Sequence, residues 1–509
     1  MGTKMATRIG TNGNDTLTGT AASDYILALG GNDIVDGGDG NDTVLAGTGN
    51  DWLTGGAGAD SLSGENGDDT IYGGAGSDTL MGQAGNDLLV WTDGDGSDTF
   101  SGGSGTDTAV VSGANAGADV FSVAAGGLDV TLSRVGTGAF ILSLLQIEAL
   151  EVYGQGGDDR LVVGSLAGTA MRNLYFEGGA GNDTLDGIAA TIALLGDGGD
   201  GADSFTGGVA ADTLSGAAGN DTLAGGRGAD RLDGGAGADR LVWNAGDGND
   251  TMIGGADADT AAIGGSAGDD VWTVLANGPD IVVDVLAGAA ATLDVRQVET
   301  IAIDGGSGDD LLIVGDLVGT AVGRVVFTGG AGADILDATQ ATRAVDANAG
   351  SDDDTMLGGL ASDTLNGAEG NDALYGDAGN DSLYGDYGDD DMGGGFGDDI
   401  LVGGVGDDSL NGEEGADIVQ GGNGEDLMWG GAGADIFRYL LAQLTNGIVE
   451  GDMIVDYSSA EGDTVDLPSA AASVAGWFIE NGNLVVVIAG DGDLIEFVGV
   501  NAIGDVLFV

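Results

Sequence analysis

The sequence predicts an all-β fold, a parallel β-roll or β-helix solenoid with a C-terminal β cap. Three observations predict it. A nine-residue pattern recurs, as in GGAGADSLS (55–63), GENGDDTIY (64–72) and GGAGSDTLM (73–81). Glycine is plentiful, 106 of 509 residues, while proline occurs twice. The residue two places after each repeat aspartate is almost always apolar, which gives every short strand one inward side chain.

The composition excludes much chemistry. Acidic residues outnumber basic ones 84 to 12, for a formal net charge of −72. Such a chain repels nucleic acid and anionic surfaces, and its natural partners are cations. Yet 42% of its residues are apolar, too many for an acidic disordered chain. With no histidine there is no Ser-His-Asp triad, no HExxH zinc site and no imidazole base. With no cysteine there are no disulfides, thiolate nucleophiles or Cys-bound metals. The opening MGTKMATRIG lacks the apolar core of a secretory signal. No apolar run reaches the length of a membrane span; near the end the longest is LVVVIA, 484–489.

Placed in register, the repeats form three runs with an aspartate every nine residues. The first is Asp15, Asp24, Asp33, Asp42, Asp51, Asp60, Asp69, Asp78 and Asp87. The second is Asp203, Asp212, Asp221, Asp230 and Asp239. The third is Asp354, Asp363, Asp372, Asp381, Asp390, Asp399, Asp408, Asp417, Asp426 and Asp435. Outside strict phase, Asp98, Asp107, Asp183, Asp250, Asp259 and Asp334 sit in similar surroundings. GGxGxD makes a turn whose glycines tolerate positive φ and whose carbonyls can face a cation. The aspartate adds a carboxylate, and Ca²⁺ wants six to eight such oxygens. Two nonapeptides make one coil, so Asp51, Asp69 and Asp87 stack on one edge and Asp42, Asp60 and Asp78 on the other. All thirty aspartates are candidate Ca²⁺ ligands, with an ion between stacked turns.

GGAGADSLS, GGAGSDTLM, GGRGADRLD and GGVGDDSLN resemble the GGxGxDxUx nonapeptide of the RTX (repeat-in-toxin) family. The resemblance covers about half the chain and implies a Ca²⁺-binding parallel β-roll. Two repeats depart from it: GTAASDYIL (19–27) lacks the inner glycines, and in AGSDDDTML (349–357) Asp352 replaces the fourth-place glycine. A coil of two nonapeptides buries only a pair of aliphatic side chains, too little to offset the entropy of ordering it. The metal is therefore expected to hold the roll closed, at roughly 18 sites. Unfolding in chelator is the expected consequence.

Between the runs lie two copies of a unit of about 150 residues. LLVWTDGDGSDTFSGGSGTDT (88–108) answers RLVWNAGDGNDTMIGGADADT (240–260), and GSLAGTA (164–170) answers GDLVGTA (315–321). Apolar places shared by AFILSLLQIEALEVYG and ATLDVRQVETIAIDG are Leu142/Leu293, Leu144/Val295, Ile147/Val298, Leu150/Ile301 and Val152/Ile303. Alternation broken by a three-residue step predicts two short strands across a corner rather than a helix. These segments read as wider, metal-poor β-helix coils. Asp158, Asp159, Asp309 and Asp310 read either as isolated ion ligands or as solvated turns. The expected organisation is β-roll 1–110, β-helix-like insert 111–195, β-roll 196–262, duplicated insert 263–345, β-roll 346–438, and a cap with a secretion region 439–509.

After Asp435 the repeat stops, and GDMIVDYSSAEGDTVDLPS and IENGNLVVVIAGDGDLIEFVGV read as strands of a cap. The ending Asp505-Val506-Leu507-Phe508-Val509 is similar to the uncleaved C-terminal signal of RTX exoproteins, an acidic residue followed by apolar ones. The resemblance implies export by type I secretion machinery from a Gram-negative cell, with folding outside, where Ca²⁺ is abundant.

The expectation is a non-enzymatic, extracellular structural protein that self-associates at the cell surface or in the matrix, as an S-layer, fibre or biofilm component. An alternative is a Ca²⁺-dependent adhesin binding cell-surface polysaccharide through Trp52, Tyr72, Tyr375, Tyr384 or Trp429, though covering a neighbouring rung is the plainer role of each. A third is a polysaccharide-modifying enzyme using Arg134, Arg172, Arg296 or Arg324, for which pairing with nearby aspartates is the plainer role.

Overall fold

The computed structural model describes residues 5–136, 138–286, 290–440, 451–467, 474–480, 483–488, 494–498, 500 and 503–508. Its elements are β-strands and one short 3₁₀ turn, with no α-helix among the described residues. The chain divides into two compact units: Met1–Trp243 with Asp247–Asp259, and Asn244–Gly246 with Thr260–Val509.

The nonapeptide dictates each coil of the N-terminal unit. Trp52–Gly58 pairs in parallel with Thr70–Gly76, matching Leu53 to Ile71, while Thr43–Thr48 pairs with Ser61–Asn66 on the opposite sheet. Successive strands thus alternate between two sheets, and one coil consumes two nonapeptides. The eighth-place side chains Leu53, Leu62, Ile71 and Leu80 are fully buried between the sheets. Close stacking as well as φ favours glycine at the fourth place of most turns. Gly58 lies at φ +144°, and a Cβ there would sit 1.7 Å from the Gly40 carbonyl oxygen. The second place also turns left-handed, and the roll forces even Glu65 (φ +73°), Gln83 (+83°) and Ala217 (+71°) into that region. Asp352, the fourth-place replacement noted above, does the same at +84°.

The first insert departs from the roll. Val120–Gly126, Asp129–Val135 and Phe140–Leu145 form an antiparallel meander, whose first strand also pairs in parallel with Arg160–Val163. Phe140–Leu145 and Ala149–Gly156 are the expected pair of strands across a corner, with Gln146 at φ +52° and Ile147 buried between them. The parallel step then widens, matching Ala149 to Asn173. Larger side chains fill these coils, among them Trp91, Phe100, Phe121 and Phe176.

The C-terminal unit repeats this plan. Val271–Asn277, Asp280–Val285 and Ala291–Arg296 form its meander, and the corner residue Gln297 lies at φ +49°. Strict two-repeat coils follow, with Leu365 matched to Leu383 and Leu383 to Leu401. At the end, Val474–Glu480, Asn483–Ile488 and Leu494–Phe497 are antiparallel, and Leu494–Phe497 joins the roll beside Gly451–Ile454. The expected capping strands therefore form. Leu507 is exposed and Val506 buried.

Candidate metal centre

The aspartate turns of each unit are joined into ladders. In the first run the backbone N–H of Asp33 donates to Asp51 Oδ1 at 2.7 Å, Asp51 donates to Asp69 at 2.8 Å, and Asp69 to Asp87 at 2.9 Å. On the opposite edge Asp42 donates to Asp60, and Asp60 to Asp78, both at 2.7 Å. The stacking expected from a coil of two nonapeptides is thus built on Oδ1. Fifth-place residues form a second, exposed ladder, in which Asn50 N–H donates to Asn32 Oδ1 and Asp68 N–H to Asn50 Oδ1, both at 3.1 Å.

The second carboxylate oxygen is the chemically unusual atom. Oδ2 is buried and has no protein partner in Asp33, Asp42, Asp51, Asp60, Asp69, Asp78, Asp87, Asp107 and Asp183. The same holds for Asp203, Asp221, Asp230, Asp239, Asp250, Asp334, Asp354, Asp372, Asp381, Asp390, Asp399, Asp408, Asp417 and Asp435. Asp98, Asp259 and Asp426 are equally buried. A buried polar oxygen left without a partner is costly, so a chain that repeats the arrangement this often has a ligand to offer it to.

Four candidates differ. Asp24, Asp212 and Asp363 use Oδ2 to accept the N–H of Thr20 (2.6 Å), Gly208 (2.7 Å) and Gly359 (2.7 Å). Half-buried Asp15 accepts from Thr11 N–H in the same way. The cause is local. In these turns the second residue stays out of the left-handed region, so its N–H swings toward the carboxylate. Alanine holds the fourth place in three of them, at Ala22, Ala210 and Ala361. We call these turns closed, together with those of Asp119, Asp270 and Asp463, whose Oδ2 accepts from Ala114, Ser266 and Ser458, and the turns with an unpartnered Oδ2 open.

Burial raises the carboxyls of most open turns, and of the closed turns at Asp212 and Asp363 as well. For Asp69 desolvation outweighs the N–H of Asp51, and with the charges of Asp87 and Asp51 the value is pushed up to about 7. For Asp408 burial, opposed by the Asp390 N–H and reinforced by the charges of Asp426 and Asp390, raises it to about 8. In the closed turn of Asp24, hydrogen bonds from Ala6 and Thr20 overcome the effect of burial and leave the carboxyl below its usual value.

The residues present fit a hard divalent cation. Every donor is an oxygen, as Ca²⁺ prefers. The first-place glycine keeps room around Oδ2, since a Cβ at Gly55 would lie 2.5 Å from Asp60 Oδ2 and 2.4 Å from the Gly73 carbonyl oxygen. Among the described residues no three carboxylates converge on one point, so each turn offers its carboxylate together with backbone carbonyls.

Sequence phase alone missed several ladder members. Asp119 donates its N–H to Asp159 Oδ1, Asp159 to Asp183, Asp270 to Asp310 and Asp310 to Asp334. Asp159 and Asp310 are therefore neither isolated nor solvated, whereas Asp158 and Asp309 are exposed. The ladders end in the cap, where Asp452 and Asp463 accept from Asp426 and Asp435. All six have a buried apolar residue two places on, Phe121, Leu161, Trp272, Leu312, Ile454 and Val465, and that D-x-apolar signal survives where the glycines do not. Glu148 caps one ladder by accepting from Asp107 N–H at 2.9 Å.

Most of the other singled-out residues have structural partners. Arg134 is buried, pairs with Asp93 (2.5 Å) and Asp119 (3.2 Å), and lies over the rings of Trp91 and Phe140. Arg296 pairs with Asp294 and Arg324 with Asp346, while Arg172 is exposed. Trp52 stacks on Tyr72 with centroids 5.0 Å apart, and the Tyr375 hydroxyl donates to Asp391. Tyr384 lies on the sheet opposite Tyr375, and Trp429 is half-buried.

Comparison with known proteins agrees with this geometry. The family described as the RTX calcium-binding nonapeptide repeat (4 copies) matches residues 9–44, 36–70, 45–80, 54–89, 91–109, 175–187, 197–223, 206–241, 244–261, 322–340, 348–383, 366–401 and 402–437, together more than half of the chain. No curated protein matches it. Among solved structures, the AlgE6R3 subunit from the Azotobacter vinelandii mannuronan C5-epimerase is similar at 26% identity, over 25% of this chain and 80% of that one, with a TM-score of 0.21.

Proposed function

Because the chain belongs to the RTX calcium-binding nonapeptide repeat family, we propose that it is an exported structural protein whose open aspartate turns take up Ca²⁺ outside the cell. The observation that carries this reading is the repeated Oδ2, buried and without a protein partner. Bound Ca²⁺ would supply the positive charge that these turns lack, and their carboxylate and carbonyl oxygens would coordinate it. The candidate ligands are the open turns; the closed turns at Asp15, Asp24, Asp212 and Asp363 already pair Oδ2 with backbone.

Export by type I machinery, extracellular localisation and self-association belong to the same proposal. The charge of −72 supports folding only where divalent cations are abundant. No described helix is long and apolar enough to cross a membrane. A role without catalysis fits the basic residues, since Arg134, Arg296 and Arg324 are all held in ion pairs. The exposed Trp52–Tyr72 stack favours a second reading, a Ca²⁺-dependent carbohydrate-binding adhesin.

Titration of the purified, metal-free chain with Ca²⁺ tests the proposal, followed by far-UV circular dichroism and electron microscopy. We expect β structure to appear with Ca²⁺ and sheets or filaments to follow. Full β structure in chelator at neutral pH would refute the metal reading. Persistent monomers in Ca²⁺ would refute self-association and leave the adhesin reading.

A further inference from the structure

One groove on the outer face of the N-terminal unit carries a chemistry that calcium binding leaves unused. Ala149–Gly156, Asn173–Ala180 and Ala193–Asp200 are neighbouring parallel strands. Their register sets Glu151 beside Tyr175 and Tyr153 beside Glu177, and Asp197 follows Glu177 on the third strand. The result is a checkerboard of rings and carboxylates on a half-buried face. The two rings stand 5.7 Å apart at 66°. Each phenol holds its own glutamate, Tyr153 donating to Glu151 Oε2 at 2.9 Å and Tyr175 to Glu177 Oε2 at 3.1 Å.

Among the described residues, no basic side chain lines the groove. Burial, together with the charge of Glu177, holds the Asp197 carboxyl above its ordinary value, so negative charge is crowded here. The rings meet edge to face, and an electron-rich ring face left open to solvent attracts a cation with an organic surface, while the flanking carboxylates add charge. Ca²⁺ suits the place poorly, because ring faces offer it no oxygen. Anions are repelled. The duplicated insert supplies a contrast within the same chain. It places Ala302 beside Val326 and Asp304 beside Thr328 in the same register, so the rings belong to the first copy.

We propose that Tyr153, Tyr175, Glu151, Glu177 and Asp197 form a binding site for an organic ammonium group. The site is independent of the aspartate ladders, so its failure would leave the calcium reading intact.

Calorimetric titration of the full chain, folded in millimolar Ca²⁺, with choline as the probe tests this. Saturable binding is expected. The uncharged isostere 3,3-dimethylbutanol is expected to bind about tenfold more weakly or not at all. Tyr153→Leu with Tyr175→Leu should abolish binding, and Glu177→Gln should weaken it about tenfold, because the charge-assisted attraction is lost. These side chains face outward, so unchanged circular dichroism and Ca²⁺ uptake will report intact folding. Absence of saturable binding, equal binding of the isostere, or full binding by the folded double-leucine variant would each overturn the proposal.

Discussion

Asp69 illustrates how a single carboxylate responds to its surroundings. Its carboxyl moves from an ordinary 3.8 to about 7 on folding without metal, chiefly through desolvation. The sign matters. A carboxyl whose folded value is raised binds its proton more tightly when folded, so its contribution to stability is complete below about pH 4 and is lost as pH rises through about 7. The metal-free chain should therefore hold more β structure at pH 5 than at pH 8, the reverse of ordinary acid denaturation. Circular dichroism in chelator across that range checks it, and a signal that falls on acidification would contradict it. Two substitutions separate charge from space. Asp69→Asn keeps the Oδ1 that accepts the Asp51 N–H but removes the charge. It should lower Ca²⁺ stoichiometry in equilibrium dialysis while raising the metal-free β signal at pH 7.5. Gly64→Ala keeps the charge but puts a Cβ 2.0 Å from Asp69 Oδ2. It should lose the same Ca²⁺ and cost about 2 kcal/mol in the Ca²⁺-loaded protein, read by denaturant titration. At this scale most of the candidate site was legible, because one aspartate and one apolar residue recur in fixed phase. The closed turns were not fully legible. Whether Oδ2 is open depends on the φ of the second residue, and the glycines Gly208 and Gly56 look identical there in sequence while only Gly56 turns left-handed.

The inserts show what a repeat search cannot see. Their corner was readable from broken alternation at Ile147 and Val298, both of which are buried. The antiparallel meanders were not, although their turns contain Gly127 and Gly278 at positive φ. A hairpin takes its register from its own turn rather than from the aspartate ladder, so it leaves no mark at a spacing of nine. The first meander also carries a cation of its own. Arg134 meets Asp119, the first aspartate of its ladder, which has no preceding turn to donate an N–H to Oδ1. In the second copy Val285 occupies the matching place on its strand, and Asp270 Oδ1 is buried without a partner. Arg134→Met should destabilise the Ca²⁺-loaded protein by about 3–5 kcal/mol, the cost of stranding a buried carboxylate. A loss below about 1 kcal/mol in differential scanning calorimetry would show that the guanidinium is not needed there.

Over the whole molecule, stability is set by how well each coil meets its neighbours. Contacts run from one turn to the next, as in the succession Leu365, Leu383, Leu401, Val419. Ion binding at one turn thereby orders the next, and Ca²⁺ titration curves should be steeper than independent sites allow. Each tenfold rise in free Ca²⁺ above its dissociation constant adds about 1.4 kcal/mol per occupied site, so the melting temperature should climb continuously with Ca²⁺. Sodium chloride added to the chelated chain should screen its −72 charge but fail to restore the melt, since monovalent ions do not supply the same coordination. A melting temperature indifferent to Ca²⁺ would refute this. Parallel strands, the two-repeat coil and the alternating sheets could all be read from the sequence, because a period of nine with one inward residue admits few other closures.

The closed turns at Asp212 and Asp363 have one more consequence. Coils made of near-identical nonapeptides can slip past each other by a full circuit with little change in contacts, a hazard for any chain threading together from scratch. A turn that fastens its carboxylate to its own backbone matches no other rung around it. Such odd teeth act as index marks: Asp212 and Asp363 accept at Oδ1 from Leu194 and Val345, where other rungs take an aspartate N–H, so an assembly shifted by one circuit would set them against the wrong donors.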